Sequence, residues 1–251
     1  MKVALCFSGE ARNFRSAIHS QHLHIIKKYN CDIFMHTWMY DGLYAKNSRN
    51  CPWSPNFDIN EFNEHHTDEH LIGKELFALY NPKKIKIDYP DRHFFMSLAP
   101  ADKQNLYGVF MMYYSIYHAN ELKKQYEAER GFVYDMVIRC RFDLAFSQCD
   151  LITDNPSNKI YLPPNENTNV SFTPEMKERL RVQGPSFMPN DQFANGTSVS
   201  IDYYSRLFLD LLDNKYTRIH PEGLIENHLW DFNHTAFKPE INHNILMRVY
   251  R

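Results

Sequence analysis

Glycine is scarce in this sequence, and long uncharged apolar runs are missing. Only 8 of the 251 residues are glycine, which excludes glycine-rich repeats and fibres. No window approaches the roughly 18 uncharged residues that a membrane-spanning helix requires, and the apolar run at residues 3–7 soon gives way to polar residues. We therefore expect neither a membrane span nor a signal peptide.

Paired cysteines and a histidine metal motif are also missing. The five cysteines are an odd number and show no CxxC spacing. This pattern excludes a disulfide framework and a zinc knuckle, and it favours a reducing, cytoplasmic compartment. The 13 histidines contain no HExxH motif, and the neighbours His65 and His66 are typical of a solvated loop.

Charge of one sign is lacking as well, because the formal net charge is only -2. A chain so close to neutrality has no general attraction for nucleic acids or anionic membranes. We expect no nucleic-acid partner. Any anionic ligand must then be bound by a local group of cations.

The composition that is present indicates a globular α/β protein. Hydrophobic residues make up 43% of the chain and aromatic residues 15%, and the length suits one domain, residues 1–251. Strand-like runs at residues 2–7, 31–38 and 83–90 alternate with helical patterns at Phe14 to Lys28 and Asn105 to Glu129. This alternation predicts a mainly parallel central sheet flanked by helices.

The second half of the chain continues the alternation. A central strand is predicted at residues 134–146, after a helix that Gly131 ends, and helices are predicted at 200–212 and 221–232. Residues 41–70 and 150–190 are rich in proline and polar residues. We expect excursions and loops there, with one short strand at KIYLPP.

Three charged residues interrupt the predicted central strand, in VIRCRFDLAF. Arg139 and Arg141 are two positions apart, so they project from the same face. Because unpaired buried charges are unfavourable, either Asp143 pairs with an arginine and braces the sheet, or the strand ends at a ligand cleft. In the second case Asp143 offers an oxygen ligand to Mg²⁺ or Mn²⁺.

The first loop, FSGEARNF, poses the same choice. Gly9 permits a tight turn with exposed backbone N–H groups, and Arg12 and Arg15 are placed to meet a diphosphate at the start of a helix. The alternative is an ordinary strand-to-helix turn with solvated arginines. The loop matches neither GxGxxG nor GxxxxGK[ST], which argues against a dinucleotide fold and a P-loop.

A family resemblance rests on five segments in this order: ALCFSGEARNF, DIFMHTW, YDMVIRCRFDL, NDQFANG and HPEGLIENHL. With them the chain resembles, over most of its length, the GT-A type nucleotide-sugar glycosyltransferases of large algal viruses and bacterial polysaccharide gene clusters. The resemblance implies one Rossmann-like GT-A domain. Residues 1–145 would bind the nucleotide sugar and residues 146–251 the acceptor, in the cytoplasm, or the host cytoplasm if the protein is viral.

The resemblance also implies a site. The residues that contact the nucleotide would be Phe7, Ser8, Gly9 and Arg12. Asp143 would hold Mn²⁺ or Mg²⁺ against the diphosphate, assisted by His220. One departure from the family is that the usual Asp-x-Asp motif is here Arg141-Phe142-Asp143, which supplies a single carboxylate.

Asp191, in PNDQFANG, has two interpretations. It is either the N-cap or turn residue of a following helix, or the carboxylate that takes the proton from an attacking acceptor hydroxyl. Downstream, Glu222 is most simply a first-turn helix acid after Pro221, whereas His220 is a candidate ligand of the diphosphate or the metal.

The function we expect is transfer of a sugar, with inversion, from a nucleotide donor such as a UDP-sugar to a glycan hydroxyl. The metal, Arg12, and Arg139 or Arg141 would neutralise the departing diphosphate, and Asp191 would be the base. The aromatic residues expected either to stack on sugars or simply to pack are Trp38, Tyr40, Tyr44 and Trp53.

Two other functions stay open at this point. A non-catalytic nucleotide-sugar or glycan-binding module would keep the FSGEAR loop without needing Asp191. A sulfotransferase would want a phosphate-binding lysine near the N-terminus, which FSGEARNF lacks. No sequence pattern identifies the transferred sugar, the nucleobase of the donor, the acceptor or the oligomeric state.

Overall fold

The computed structural model describes residues 1–39, 69–89, 91–99, 107–153, 159–163, 190–213, 215, 221–230 and 238–249. Most of the expected excursion over residues 41–70, most of the loop region between 150 and 190, and His220 lie outside them.

The described residues form nine strands in two sheets. The main sheet contains β1 (Val3–Ser8), β2 (Asp32–Trp38), β3 (Lys84–Asp88), β4 (Met136–Cys140), β6 (Lys159–Leu162), β7 (Phe193–Gly196) and β8 (Lys238–Ile241). The second sheet pairs β5 (Leu144–Cys149) with β9 (Ile245–Val249).

The helices follow the periodic segments of the sequence. They are α1 (Phe14–Gln21), a π-helical segment (His22–Ile26) that continues into α2 (Lys27–Tyr29), α3 (Glu69–Tyr80), α4 (Arg92–Leu98), α5 (Tyr107–Arg130), α6 (Ser198–Ser205), α7 (Leu207–Leu212) and α8 (Pro221–Trp230). Gly131 ends α5 with a φ of 67°, as predicted. None of the helices in the described ranges is both long and apolar enough to cross a membrane.

The main sheet is mostly parallel, in the order β3-β2-β1-β4-β7-β6-β8. β1 runs parallel to β2 and β4, β2 runs parallel to β3, and β6 runs parallel to β8. β7 is antiparallel to both of its neighbours, β4 and β6. The prediction of an α/β fold with a mainly parallel central sheet is therefore confirmed.

Helices cover both faces of this sheet, because successive strand residues point to opposite sides. Along β1, Ala4 and Cys6 join a core formed with α4 to α8. Leu5 and Phe7 join a second core formed with α1, α3, β5 and β9. The result is a three-layer arrangement with the sheet in the middle.

The predicted central strand at 134–146 is two strands, not one. β4 ends at Cys140, and the chain turns through residues 141–143 into β5, which leaves the main sheet to pair with β9. Phe142 is fully buried in this turn, where its ring stacks on Phe7 at 5.1 Å between centroids. Arg141 and Asp143 therefore lie at a junction between sheets, which the continuous apolar pattern did not indicate.

Asp191 precedes a strand and not a helix, so its interpretation as an N-cap is wrong. The next helix, α6, is capped by Thr197, whose Oγ1 accepts from the backbone N–H of Ser200 at 3.3 Å. Between them lies β7, where Phe193 and Ala194 are fully buried. Pairing with β4 thus overrides the turn-like sequence FANG.

A buried lysine joins α5 to α6 and so holds this side of the sheet together. The Lys123 side chain is 0% exposed. Its Nζ donates to Asp202 Oδ1 at 2.7 Å and to Ser198 Oγ, and it pairs with Glu127 Oε2 at 3.1 Å. The three N–H groups of the ammonium thus have three acceptors, which offsets the desolvation of the charge.

We expect Lys123→Met to lower the free energy of unfolding by about 3 kcal/mol, because the carboxylates of Glu127 and Asp202 would lose their buried counter-ion. Urea denaturation would measure the change. Lys124→Met is the matched control, since Lys124 is 45% exposed and should shift stability by no more than about 0.5 kcal/mol. Equal effects of the two substitutions would contradict this account of the network.

Candidate functional site

A cavity of about 280 Å³ opens at the carboxyl ends of three parallel strands. Ser8 lines it from the end of β1, Trp38 from the end of β2, and Arg139 from the end of β4. The chain moves from β1 to β2 on one side and later adds β4 on the other. Ligands of open α/β sheets bind at such a switch in strand order.

The charged groups that line the cavity are mainly cationic. Three guanidinium groups face it, from Arg12, Arg139 and Arg141, against one carboxylate, Glu10. Glu10 forms an ion pair with Arg12, with Oε2 and Nη1 3.8 Å apart. The chain as a whole has a net charge of -2, but the lining of this cavity carries more cations than anions. It therefore provides the local group of cations that an anionic ligand requires.

Arg139 is the most unusual of the three arginines, because it is only 1% exposed. Its Nε donates to Ser8 Oγ at 3.1 Å and its Nη1 donates to the backbone carbonyl of Asp191. No carboxylate in the described ranges forms an ion pair with it, and its Nη2 donates to none of those residues. A buried guanidinium without a counter-ion is unfavourable, and an anion in the cavity would relieve it.

Arg12 and Arg141 instead share one carboxylate, Asp143. Arg141 donates from Nε to Oδ1 at 3.0 Å and from Nη2 to Oδ2 at 2.6 Å, and Arg12 donates from Nε to Oδ2 at 3.0 Å. The Asp143 side chain is 1% exposed. Burial alone would lower the pKa of Arg141, but the nearby carboxylates, Asp143 above all, raise it. The Arg–Asp pair that the sequence left open is therefore present.

These contacts do not fit a metal centre at Asp143. Both carboxylate oxygens accept hydrogen bonds from guanidinium groups, and a divalent cation there would meet two positive charges. A search of the described part of the chain also finds no group of three or more His, Cys, Asp or Glu residues that could hold a metal ion. The predicted roles of Asp143 and His220 as metal ligands stay predictions.

At Gly9 the first loop leaves space beside the cavity, and the Gly9 N–H already has a partner. Gly9 has a φ of 104°, which other residues rarely adopt, and a Cβ there would meet no atom within 4 Å. Its N–H donates to Ser115 Oγ at 2.6 Å, so the expected exposed amide is already used. Arg15, expected beside Arg12, pairs instead with Glu75 of α3.

A buried chain of hydrogen bonds anchors the Gly9 loop to the neighbouring strands and to α5. Ser115 Oγ lies 2.8 Å from His36 Nδ1, and His36 Nε2 lies 3.0 Å from Asp88 Oδ2. Burial lowers the pKa of His36, and Asp88 can only accept, so we assign the neutral ring with its proton on Nε2. Ser115 is 0% exposed, which makes it an anchor and not an accessible nucleophile despite the Ser–His–Asp order.

Asp88 is the end of this chain and is held ionised. Burial by itself would raise the pKa of its carboxyl group, but hydrogen bonds lower that pKa well below its usual range. The donors are His36, Lys86 and Tyr114. The loop after β1 is thereby tied to the ends of β2 and β3.

The other predicted site residues are placed differently. Phe7 is fully buried on the opposite face of the sheet, where its ring packs against Tyr80 and Phe142. Asp191 lies beside Arg139 through its backbone carbonyl. Trp38 lines the cavity but is 1% exposed, with its ring stacked on Tyr114 at 5.6 Å, so packing is its main role. Tyr40, Tyr44 and Trp53 lie outside the described residues.

Three lining residues were not predicted from the sequence: Glu10, Gly108 and Met112. Gly108 and Met112 are four positions apart at the start of α5, so they share one face of the helix. That spacing is visible in the sequence. Nothing in it distinguishes the face that meets the cavity from the faces that enter the core, because α5 is apolar on most sides.

Comparisons with known proteins leave the family open: no family model matches the chain, and no curated protein matches it.

The histidines beside this network predict a pH dependence of stability. Burial and the cation of Lys86 lower the pKa of His118 from 6.5 to about 4, and the pKa of His36 is lowered too. Because these pKa values are lowered in the folded state, the unfolded state binds protons at a higher pH than the folded state does. The contribution of the neutral histidines to the free energy of unfolding is therefore complete above pH 6.5 and is lost as the pH falls toward 4.

We therefore expect the free energy of unfolding, measured in urea between pH 7 and 4, to fall steadily, and His118→Asn to flatten the profile. His19→Asn, at an exposed position, should leave it unchanged. A profile for His118→Asn that is as steep as that of the wild type would contradict the assignment.

Proposed function

We propose that the protein is a glycosyltransferase of GT-A type that takes a sugar from a nucleoside-diphosphate donor, with UDP-sugars as the first candidates. The observation that supports this most is Arg139, a 1% exposed guanidinium that lines the cavity without a carboxylate partner in the described ranges. A diphosphate supplies the oxygens that such a group binds in pairs.

The surroundings of Arg139 favour a ligand with an anionic part and a flat part. Gly108 is the second residue of the 24-residue helix α5, so the positive end of the helix dipole lies at the cavity. Trp38 and Met112 form an apolar wall beside it. Phosphates near the arginines and a ring near this wall would suit a nucleotide.

The proposed chemistry is one displacement at the anomeric carbon. As the bond to the donor phosphate breaks, negative charge grows on the departing diphosphate. Arg139, with Arg12 and Arg141 beside it, would neutralise that charge from fixed positions. Preorganised contacts of this kind are commonly worth ~10²–10³ in turnover each.

The acceptor side of the proposal rests on Asp191. Arg139 Nη1 donates to its backbone carbonyl, which keeps the residue next to the donor cavity. β7 starts two residues later and runs antiparallel to β4, so Asp191 lies at the carboxyl end of β4. From there its carboxylate would accept the proton of a glycan hydroxyl that attacks opposite the leaving diphosphate.

Arg139→Met tests whether Arg139 binds a ligand or has only a structural role. We expect UDP binding, measured by calorimetry, to weaken at least tenfold, because a charge-assisted contact is removed. Stability should change by less than about 1 kcal/mol, since the substitution also removes a buried charge that has no carboxylate partner among the described residues.

The control is Arg130→Met, at the far, exposed end of α5. It should change neither quantity. A large loss of stability in Arg139→Met with unchanged UDP affinity would make Arg139 structural. GDP, dTDP, ADP and adenosine 3′,5′-bisphosphate belong in the same titration, because exclusive binding of the bisphosphate would favour a sulfotransferase.

Asp191→Asn tests the base. We expect donor binding and stability to be kept, because the side chain keeps its size, and turnover to fall by ~10²-fold or more. The NMR-assigned product should have the anomeric configuration opposite to that of the donor. Near-normal turnover of the variant, or a retained configuration, would refute the role. Donor binding without any turnover in the wild type would indicate a binding module.

A further inference from the structure

We propose that the cavity binds its nucleoside diphosphate without a divalent metal ion, so that arginines do what a metal would do. This inference rests on the proposed function, because it concerns the same donor. It departs from the Mn²⁺ or Mg²⁺ that the family resemblance implies. The basis is the arrangement of charges around Asp143 and the cavity.

The carboxylate expected to hold the metal lies behind the cavity, not on its wall. Asp143 is absent from the lining, whereas its two partners, Arg12 and Arg141, are part of it. Arg141 donates to both Asp143 oxygens, in the bidentate geometry that makes arginine–carboxylate pairs strong. The Asp143 side chain is 1% exposed, and a metal ion at its oxygens would lie beside two guanidinium charges.

The side of this cluster that a ligand meets is therefore positive. The described lining carries three guanidinium groups and one carboxylate, Glu10, which itself lies 3.8 Å from Arg12. Such a wall repels a free divalent cation and attracts phosphate oxygens. Asp143 then has a different task, which is to hold the guanidinium groups of Arg12 and Arg141 in fixed directions.

Arg139, in β4, is the third arginine that lines the cavity. Its Nε and Nη1 are held by Ser8 and by the Asp191 carbonyl, which leaves Nη2 as its remaining terminal donor. Three oriented guanidinium groups around one cavity offer enough N–H donors for the oxygens of both phosphates. With Asp143 and Glu10 counted, three guanidinium groups face two carboxylates, so the arginines would bind the phosphate oxygens directly and offset part of the charge of a diphosphate.

The test compares binding in EDTA with binding in Mn²⁺. The full chain is dialysed against EDTA and titrated by calorimetry with UDP, GDP, dTDP and ADP, and the titrations are repeated in EDTA-free buffer with Mn²⁺. We expect the tightest nucleotide to bind in EDTA at least as tightly as in Mn²⁺, because the metal complexes the diphosphate in solution and lowers its charge.

The outcomes distinguish the inference from the function it rests on. Binding that needs Mn²⁺, or that Mn²⁺ tightens by about tenfold or more, overturns metal-free binding and leaves the proposed function standing. If none of the four nucleotides binds in either buffer, the proposed function fails and this inference fails with it.

Arg12→Ala shows whether the arginines carry the binding. We expect the Kd in EDTA to rise about tenfold or more, and to rise by the same factor in Mn²⁺. Arg15→Ala is the matched control, since Arg15 lies close by in the sequence, in α1, but pairs with Glu75. The Kd of this variant should be unchanged. An unaltered Kd for Arg12→Ala in EDTA would overturn the inference.

Discussion

The arrangement of the site depends on one ion pair network, that of Asp143 with Arg12 and Arg141. One carboxylate, 1% exposed, joins the loop after β1 to the turn after β4. Because a buried charge is unfavourable without partners, the network fixes the position of both loops at once. It also decides the electrostatics, since the carboxylate faces inward and the guanidinium groups face the cavity.

Much of the fold was predictable because it depends on local patterns. Short apolar runs gave β1, β2 and β3, and helical spacing gave α1 and α5, because period and burial are coupled directly. The turn at residues 141–143 and the strand β7 were not predictable, since both are set by pairing with distant residues, β9 and β4. For this reason one of the two interpretations of Asp191 was an N-cap before a helix, whereas a strand follows it.

The site was predictable only in part, and for a similar reason. Ser8, Gly9, Arg12, Arg139 and Arg141 were identified from their positions at strand ends, and they do meet at one cavity. Their partners were not, because a sequence does not show which contacts a polar group has already made. The Gly9 N–H donates to Ser115, and the Asp143 carboxylate accepts from two arginines. The residue types were therefore visible in the sequence, but the hydrogen bonds that these groups already make were not.

In the proposed function, the contact between Arg139 and the carbonyl of Asp191 would link the binding of the two substrates. One guanidinium lines the cavity and also donates to the main chain of the proposed acceptor base. A donor that draws Arg139 toward its phosphates would shift Asp191 as well, so the two substrates would not bind independently. Because such coupling is reciprocal, a bound acceptor would change the affinity for the nucleotide sugar by the same factor.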